Sequence, residues 1–255
     1  MNHSEIKTID DVILFLEYII AESEKNNDTL GYFAVLYQRV TLRVKEGILT
    51  NYFDDGPRME KLDVVFAKKY IDAWVAWQSE KEVSESWEKA FLFSKKNQPV
   101  VLQHLLMGMN AHINLDLGIA AAEISQNKNI EDLKNDFFRI NEILSSLVND
   151  VQNNLSSIWP ALKKILSKTG KIDNLLVDFS IELARDGAWE FAQNIASLPE
   201  INLEPQIKTR DDKVAKKSAI ITQPKFWLKI ILWIVRLGEL GSVPEKIKKL
   251  KSTAL

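Results

Sequence analysis

The chain of 255 residues contains no cysteine. Disulfides, thiolate nucleophiles and Cys-rich zinc sites are therefore excluded, although that absence alone does not fix a compartment. Histidine is nearly as scarce, with only His3, His104 and His112. A zinc enzyme that gathers several imidazoles at one centre would have too few to draw on. The patterns GxSxG, GxGxxG and the P-loop are missing, so no nucleotide cofactor is expected. No Asp-Asp-x-x-Asp run occurs, which speaks against isoprenoid cyclisation. The net charge is −2, too little for the chain as a whole to attract nucleic acid. The opening stretch "MNHSEIKTIDDVILFLEYII" lacks the basic start and small-residue cleavage site of a secretory signal, and a cytoplasmic setting is expected.

What the chain does have is helical periodicity. Apolar residues make up 46% and charged residues 27%, the balance of a globular protein with a real core. Ile6, Ile9, Val12, Ile13, Leu16, Ile19 and Ile20 recur at helical spacing. Later helices are expected after Asp28 or Thr29, from Pro57, from Ser84, from Pro99, from Asn129 or Ile130, and from Asp173. Proline suits a first helical turn because its missing donor would be unpaired there anyway, and Ser84 is a capping residue. Pro160 should interrupt or restart a segment. No alternating strand pattern appears. The fold class read from this pattern is all-α, a single-domain, bundle-like orthogonal array of many helices. Residues 1–198 form its helical core, 199–224 a polar loop or excursion, and 225–255 a C-terminal helix and basic tail packed on the same domain.

One helix stands apart, "QPVVLQHLLMGMNAHINLDLGIAAAE" over 98–123. It is apolar on most sides yet carries His104, Asn110, His112, Asn114 and Asp116 in its middle. At about 100° per residue, His112 and Asp116 fall on one face, as do Asn110 and Asn114. Gly108, Ala111 and Gly118 are small spacers that would let another backbone come close. Buried polar groups without partners cost about 1–3 kcal/mol each, so partners should come from other helices. The candidates are Arg39, Asp63, Tyr70, Asp72, Asp136, Asn141, Arg185 and Asp186. Trp74, Trp77, Trp87, Trp159 and Trp189 are expected in the core.

The segments "FAVLYQRVTLRV", "LDVVFAKKYIDAW", "QHLLMGMNAHINLDLGIAAA", "KNDFFRINEIL" and "ARDGAWEFA" together make the chain resemble domain-of-unknown-function family 5995. The motif that carries the resemblance is Gly-Met-Asn-Ala-His-Ile-Asn-x-Asp-Leu, here Gly108 to Leu117, and the likeness runs from about Leu30 to Leu240. It implies a single helical domain with a polar centre and no particular reaction.

From the residues themselves, two chemical readings of the motif stand beside a structural one. His112 and Asp116 at i and i+4 can ligate one metal ion, with further carboxylates such as Asp63, Asp72 or Asp136, and such a site would favour a divalent cation. His104, eight residues from His112 and about 12 Å along the axis, cannot share that ion. Alternatively His112 acts as a general base oriented by Asp116. Asn110, Asn114, His104, Arg185 and Asp136 would then bind an unidentified small molecule, and the protein would be an enzyme, a hydrolase in the sharpest form. The structural reading makes the motif a register-setting network in a non-catalytic binding or scaffold protein.

Charge is uneven. Residues 208–255 hold twelve Lys/Arg against four Asp/Glu, an excess of eight. Contact with an anionic membrane surface by residues 208–255 is one reading. The other makes "FWLKIILWIVRL" the closing core helix, its charges reaching back to water, and the family resemblance running through it favours the core.

Overall fold

In the computed structural model, residues 2–96, 98–140, 143 and 181–252 are described, and among them there is helix and no strand. The expectations at Asn141, Trp159, Pro160 and Asp173 lie outside these residues. Helix α1 runs Ile9–Asn26, opened by a reciprocal cap between Thr8 and Asp11 and closed by Asn27 in the left-handed conformation. α2 is Leu30–Leu49, α3 Gly56–Gln78 and α4 Glu85–Ser94. Pro57 sits in the first turn of α3 behind the Asp55 cap, and the Ser84 side chain caps α4. Each of these two starts follows from a residue whose side chain or ring suits the orphan groups of the first turn.

The motif helix is continuous from Val101 to Ile124, but not uniform. α5 spans Val101–Ala111, a π-helical segment spans His112–Asp116, and α6 spans Leu117–Ile124. The N–H of Leu117 reaches back to the carbonyl of His112, five residues earlier, which defines the widened turn. Pro99 stands in the bend before this helix rather than within it, and the first turn is satisfied from elsewhere. Glu239 accepts from the N–H of Val101 at 2.9 Å, and Gln103 accepts from Val100 at 3.2 Å.

After a 3₁₀ turn at Ile130–Leu133 the chain is helical over 134–140. Then follow α7 (Ile181–Ala196), α8 (Leu203–Lys217), the short α9 (Ala219–Thr222), α10 (Phe226–Gly238) and α11 (Val243–Lys251). One sequence expectation is corrected here. Residues 199–224, read as a polar loop, are mainly helix: α8 is polar because most of it faces water, while Val214 and Ala215 turn inward. The basic tail is helix as well, opened by a Ser242–Glu245 capping box, and Ile247 and Leu250 pack into the core. Among the described residues no helix is long and apolar enough to cross a membrane.

The core joins α1, α2, α3 and the motif helix through residues such as Leu16, Ile19, Phe33, Leu62, Ile71, Leu105 and Ala121. Two small residues set how closely the elements approach. A Cβ on Gly108 would run into the ring of Phe33, and one on Gly118 would stand 2.8 Å from the Ala188 carbonyl and 2.9 Å from the ring of Phe191. The Ala188 carbonyl is backbone and cannot rotate away. Gly118→Val should therefore push α7 off α6 and cost about 1–3 kcal/mol, read as a lower urea midpoint. An unchanged midpoint would refute the close approach.

Candidate functional site

His112 lies at the start of the π segment and is only 2% exposed. Its ring stacks on Phe66 with centroids 3.6 Å apart and 5° between planes, and stands edge-on to Tyr37 at 4.5 Å. Phe33, Tyr70 and Trp87 complete the aromatic shell at 5.8–6.1 Å. Nδ1 of His112 is 3.0 Å from Oδ2 of Asp116, and the same oxygen accepts from the Trp87 indole N–H at 2.9 Å. Indole nitrogen only donates, so with Asp116 ionised its Oδ2 accepts from both neighbours and Nδ1 carries the imidazole proton. That leaves the Nε2 lone pair of His112 buried and without a hydrogen-bond partner among the described residues. Burial lowers the pKa of His112 and raises that of Asp116, against the mutual attraction of the pair and the indole hydrogen bond. The ring is therefore neutral at physiological pH.

The expected i, i+4 pairing of His112 with Asp116 is thus present, with Trp87 as a third member that sequence spacing gives no means of finding. The other expected site residues are distributed differently. Asn110 and Asn114 hydrogen-bond to each other at 3.2 Å, and Asn110 donates to the Val214 carbonyl at 3.0 Å. Arg210 donates through Nε to the Asn114 carbonyl at 2.8 Å. A π turn displaces main-chain carbonyls from their usual helical partners, and here one of them receives α8. The two asparagines form a hydrogen-bonded strip against α8.

His104 is separate from His112. It sits 3.4 Å from the Thr29 hydroxyl between Tyr32 and Phe93, and burial drives its pKa down to about 3. Asp136 is also elsewhere. Fully buried, it accepts from the backbone N–H of Asp54 (2.7 Å) and Asp55 (2.9 Å), and pairs with Arg58 (3.3 Å) and Arg139 (3.1 Å). Arg185 pairs with its neighbour Asp186 at 2.6 Å and lies 4.4 Å over the ring of Phe138. Asp72 is exposed and pairs with His3. None of these meets His112 through a hydrogen bond or ion pair among the described residues. Asp211, which sequence reasoning missed, plays a role like that of Asp136: buried, it accepts from the N–H of Glu85 (2.7 Å) and Ser86 (2.9 Å) at the start of α4.

Asp63 and Tyr70 do enter the polar interior. Oδ2 of Asp63 and the Tyr70 hydroxyl are buried without hydrogen-bond partners among the described residues. Burial raises the carboxyl of Asp63 to about 8 and raises Tyr70 too. A cavity with room for about one water, roughly 20 Å³, is lined by Thr29, Phe33, Tyr70, Trp87, His104 and Gly108. It would not hold a metabolite.

The metal reading fares poorly in this geometry. Nδ1 of His112 and Oδ2 of Asp116 are taken up by their contact with each other. Among the described residues, no group of three or more His, Asp or Glu side chains is placed to hold an ion.

Fold and site define an all-α protein built around a buried His–Asp–Trp cluster in a π-widened helix. Residues 9–224 match the model of a family of unknown function, DUF5995, and the chain belongs to that family. The match begins earlier than the motifs suggested and stops before α10, so family likeness no longer argues for α10 as core. No curated protein and no solved structure matches the chain.

Proposed function

We propose that the chain is a non-catalytic binding or scaffold module whose signature helix is a structural keystone. The observation that supports this reading is the sealing of His112 beneath Phe66, with its Nδ1 and the Trp87 indole both spent on Asp116. The asparagine strip is likewise spent on α8. The π turn is then the device that sets three elements, α3, α4 and α8, at fixed positions around one helix.

A stability cycle tests it. His112→Leu leaves the Asp116 carboxylate buried with the indole alone, and losing a hydrogen bond to a charged group costs about 1.5–3 kcal/mol. The double variant His112→Leu/Asp116→Leu removes the charge along with its partner and should recover part of that loss. Residues kept for chemistry rather than stability behave otherwise: single variants that leave the urea midpoint unchanged, or raise it, would sink the reading.

One observation favours a second reading, a small-molecule enzyme with His112 as general base: a buried, unpartnered Nε2 on an imidazole whose other nitrogen is held by a carboxylate. In its hydrolase form, stated without a metal, half-buried Phe66 would be the cover that moves. On this reading the His112 ring meets solvent and titrates between pH 5 and 8 by NMR. A ring that stays neutral throughout that range counts against it.

A further inference from the structure

α10 has two apolar faces, and the fold uses one. Leu228, Leu232 and Val235 turn into the core. On the other side Phe226, Ile230, Trp233, Ile234 and Leu237 form a stripe about 100° wide along the helix. All five are exposed, Phe226 by 78%, Trp233 by 63% and Leu237 by 65%. A contiguous stripe of large apolar side chains on a surface implies something that covers it.

Charge indicates what the cover is. α10 contains no Asp or Glu; Lys225 precedes it and Lys229 flanks the stripe, both exposed. The segment from 208 onward has an excess of eight positive charges. A two-fold pairing of α10 with its own copy would bring like charges together with no acid on the helix to offset them. An anionic bilayer offers the opposite sign, and the aromatic rings of Phe226 and Trp233 suit the headgroup level. Two further facts fit. The whole helix lies beyond the family match, which ends at 224. It is also held firmly: Glu239, just past its end, accepts from the N–H of Val101 at 2.9 Å and pairs with buried Lys246 at 3.1 Å.

We propose that α10 is an interfacial anchor, laying its outer stripe into the headgroup–acyl boundary of an anionic membrane. This does not depend on the reading of His112. The test is sedimentation of the full chain with vesicles of phosphatidylcholine, alone or mixed with phosphatidylserine. Two variants accompany it: Trp233→Glu/Leu237→Glu on the stripe and Lys225→Glu/Lys229→Glu beside it, both on exposed positions and checked for fold by circular dichroism. The wild type should bind the mixed vesicles, and added salt should weaken that binding. The stripe variant should lose at least tenfold, and the lysine variant at least about 25-fold, about fivefold for each of the two lysines lost with the two acids gained adding to it, on mixed vesicles only. Absence of binding to either vesicle overturns the proposal, as does binding that the stripe variant leaves intact. Equal binding to both vesicles overturns the anionic preference. A wild-type dimer that ignores vesicles and becomes monomeric with Trp233→Glu/Leu237→Glu would instead make the stripe a contact between copies.

Discussion

Asp136→Ala should be among the most damaging single substitutions in this chain, costing about 3–5 kcal/mol. The carboxylate is completely buried and serves four donors from two places. The N–H groups of Asp54 and Asp55 come from the turn that leads into α3, and Arg58 and Arg139 bring two guanidinium groups. Alanine would strand the two N–H groups and leave a void beside them, while Arg139 keeps Asp54 and Arg58 keeps Asp55 as partners. The turn fixes where α3 begins, and α3 carries Asp63, Phe66 and Tyr70 against the motif helix, so the damage should travel. Urea denaturation gives the cost directly. Asp136→Asn, which keeps the shape and one acceptor, should fall between wild type and alanine. A loss under about 1 kcal/mol for alanine, the range of an exposed ion pair, would mean that the turn does not depend on this carboxylate.

Asp136 also marks where sequence reading stops. It stands out correctly as an acid inside an apolar run, but spacing assigns it to the wrong centre. Helical spacing is a local rule. It pairs His112 with Asp116 and Asn110 with Asn114, it gives Pro57 and Ser84 their places at helix starts, and it marks Gly108 and Gly118 as points of close approach. It has nothing to say about which acid from one helix meets which amide from a loop about eighty residues away. Trp87 and Asp211 are invisible for the same reason, since nothing near either residue tells where its hydrogen bonds go. Asp72 is a different error. Ala67, Tyr70, Ile71 and Trp74 already fill the inner face of α3, which leaves Asp72 turned to solvent with His3. Helical spacing does not announce the π turn either; it lies where Asp116 meets Trp87 from α4 and Asn114 meets Arg210 from α8, one turn before Gly118 meets the backbone of α7.

The interior chemistry that remains gives the second large effect, and it depends on pH. Asp63 is buried with Oδ2 unpartnered among the described residues, and burial lifts its carboxyl from 3.8 to about 8. Between those values the folded protein keeps a proton that the unfolded chain has released. The unfolded state then binds fewer protons, so stability falls as pH rises through the window and levels off above about 8. The slope approaches about 1.4 kcal/mol per pH unit. In Asp63→Asn the side chain cannot ionise, and an amide N–H replaces the acid O–H, so the substitution removes this slope alone. His104, at about 3, and His112, also lowered, act in the opposite sense, with stability lost as pH falls below about 6.5. They are present in both proteins and cancel in the difference. The advantage of Asp63→Asn over wild type should therefore grow by up to about 4 kcal/mol between pH 5 and pH 8 in urea titrations. A difference that stays constant across those pH values would mean that Asp63 is ionised in the folded protein, with a partner that draws its proton off.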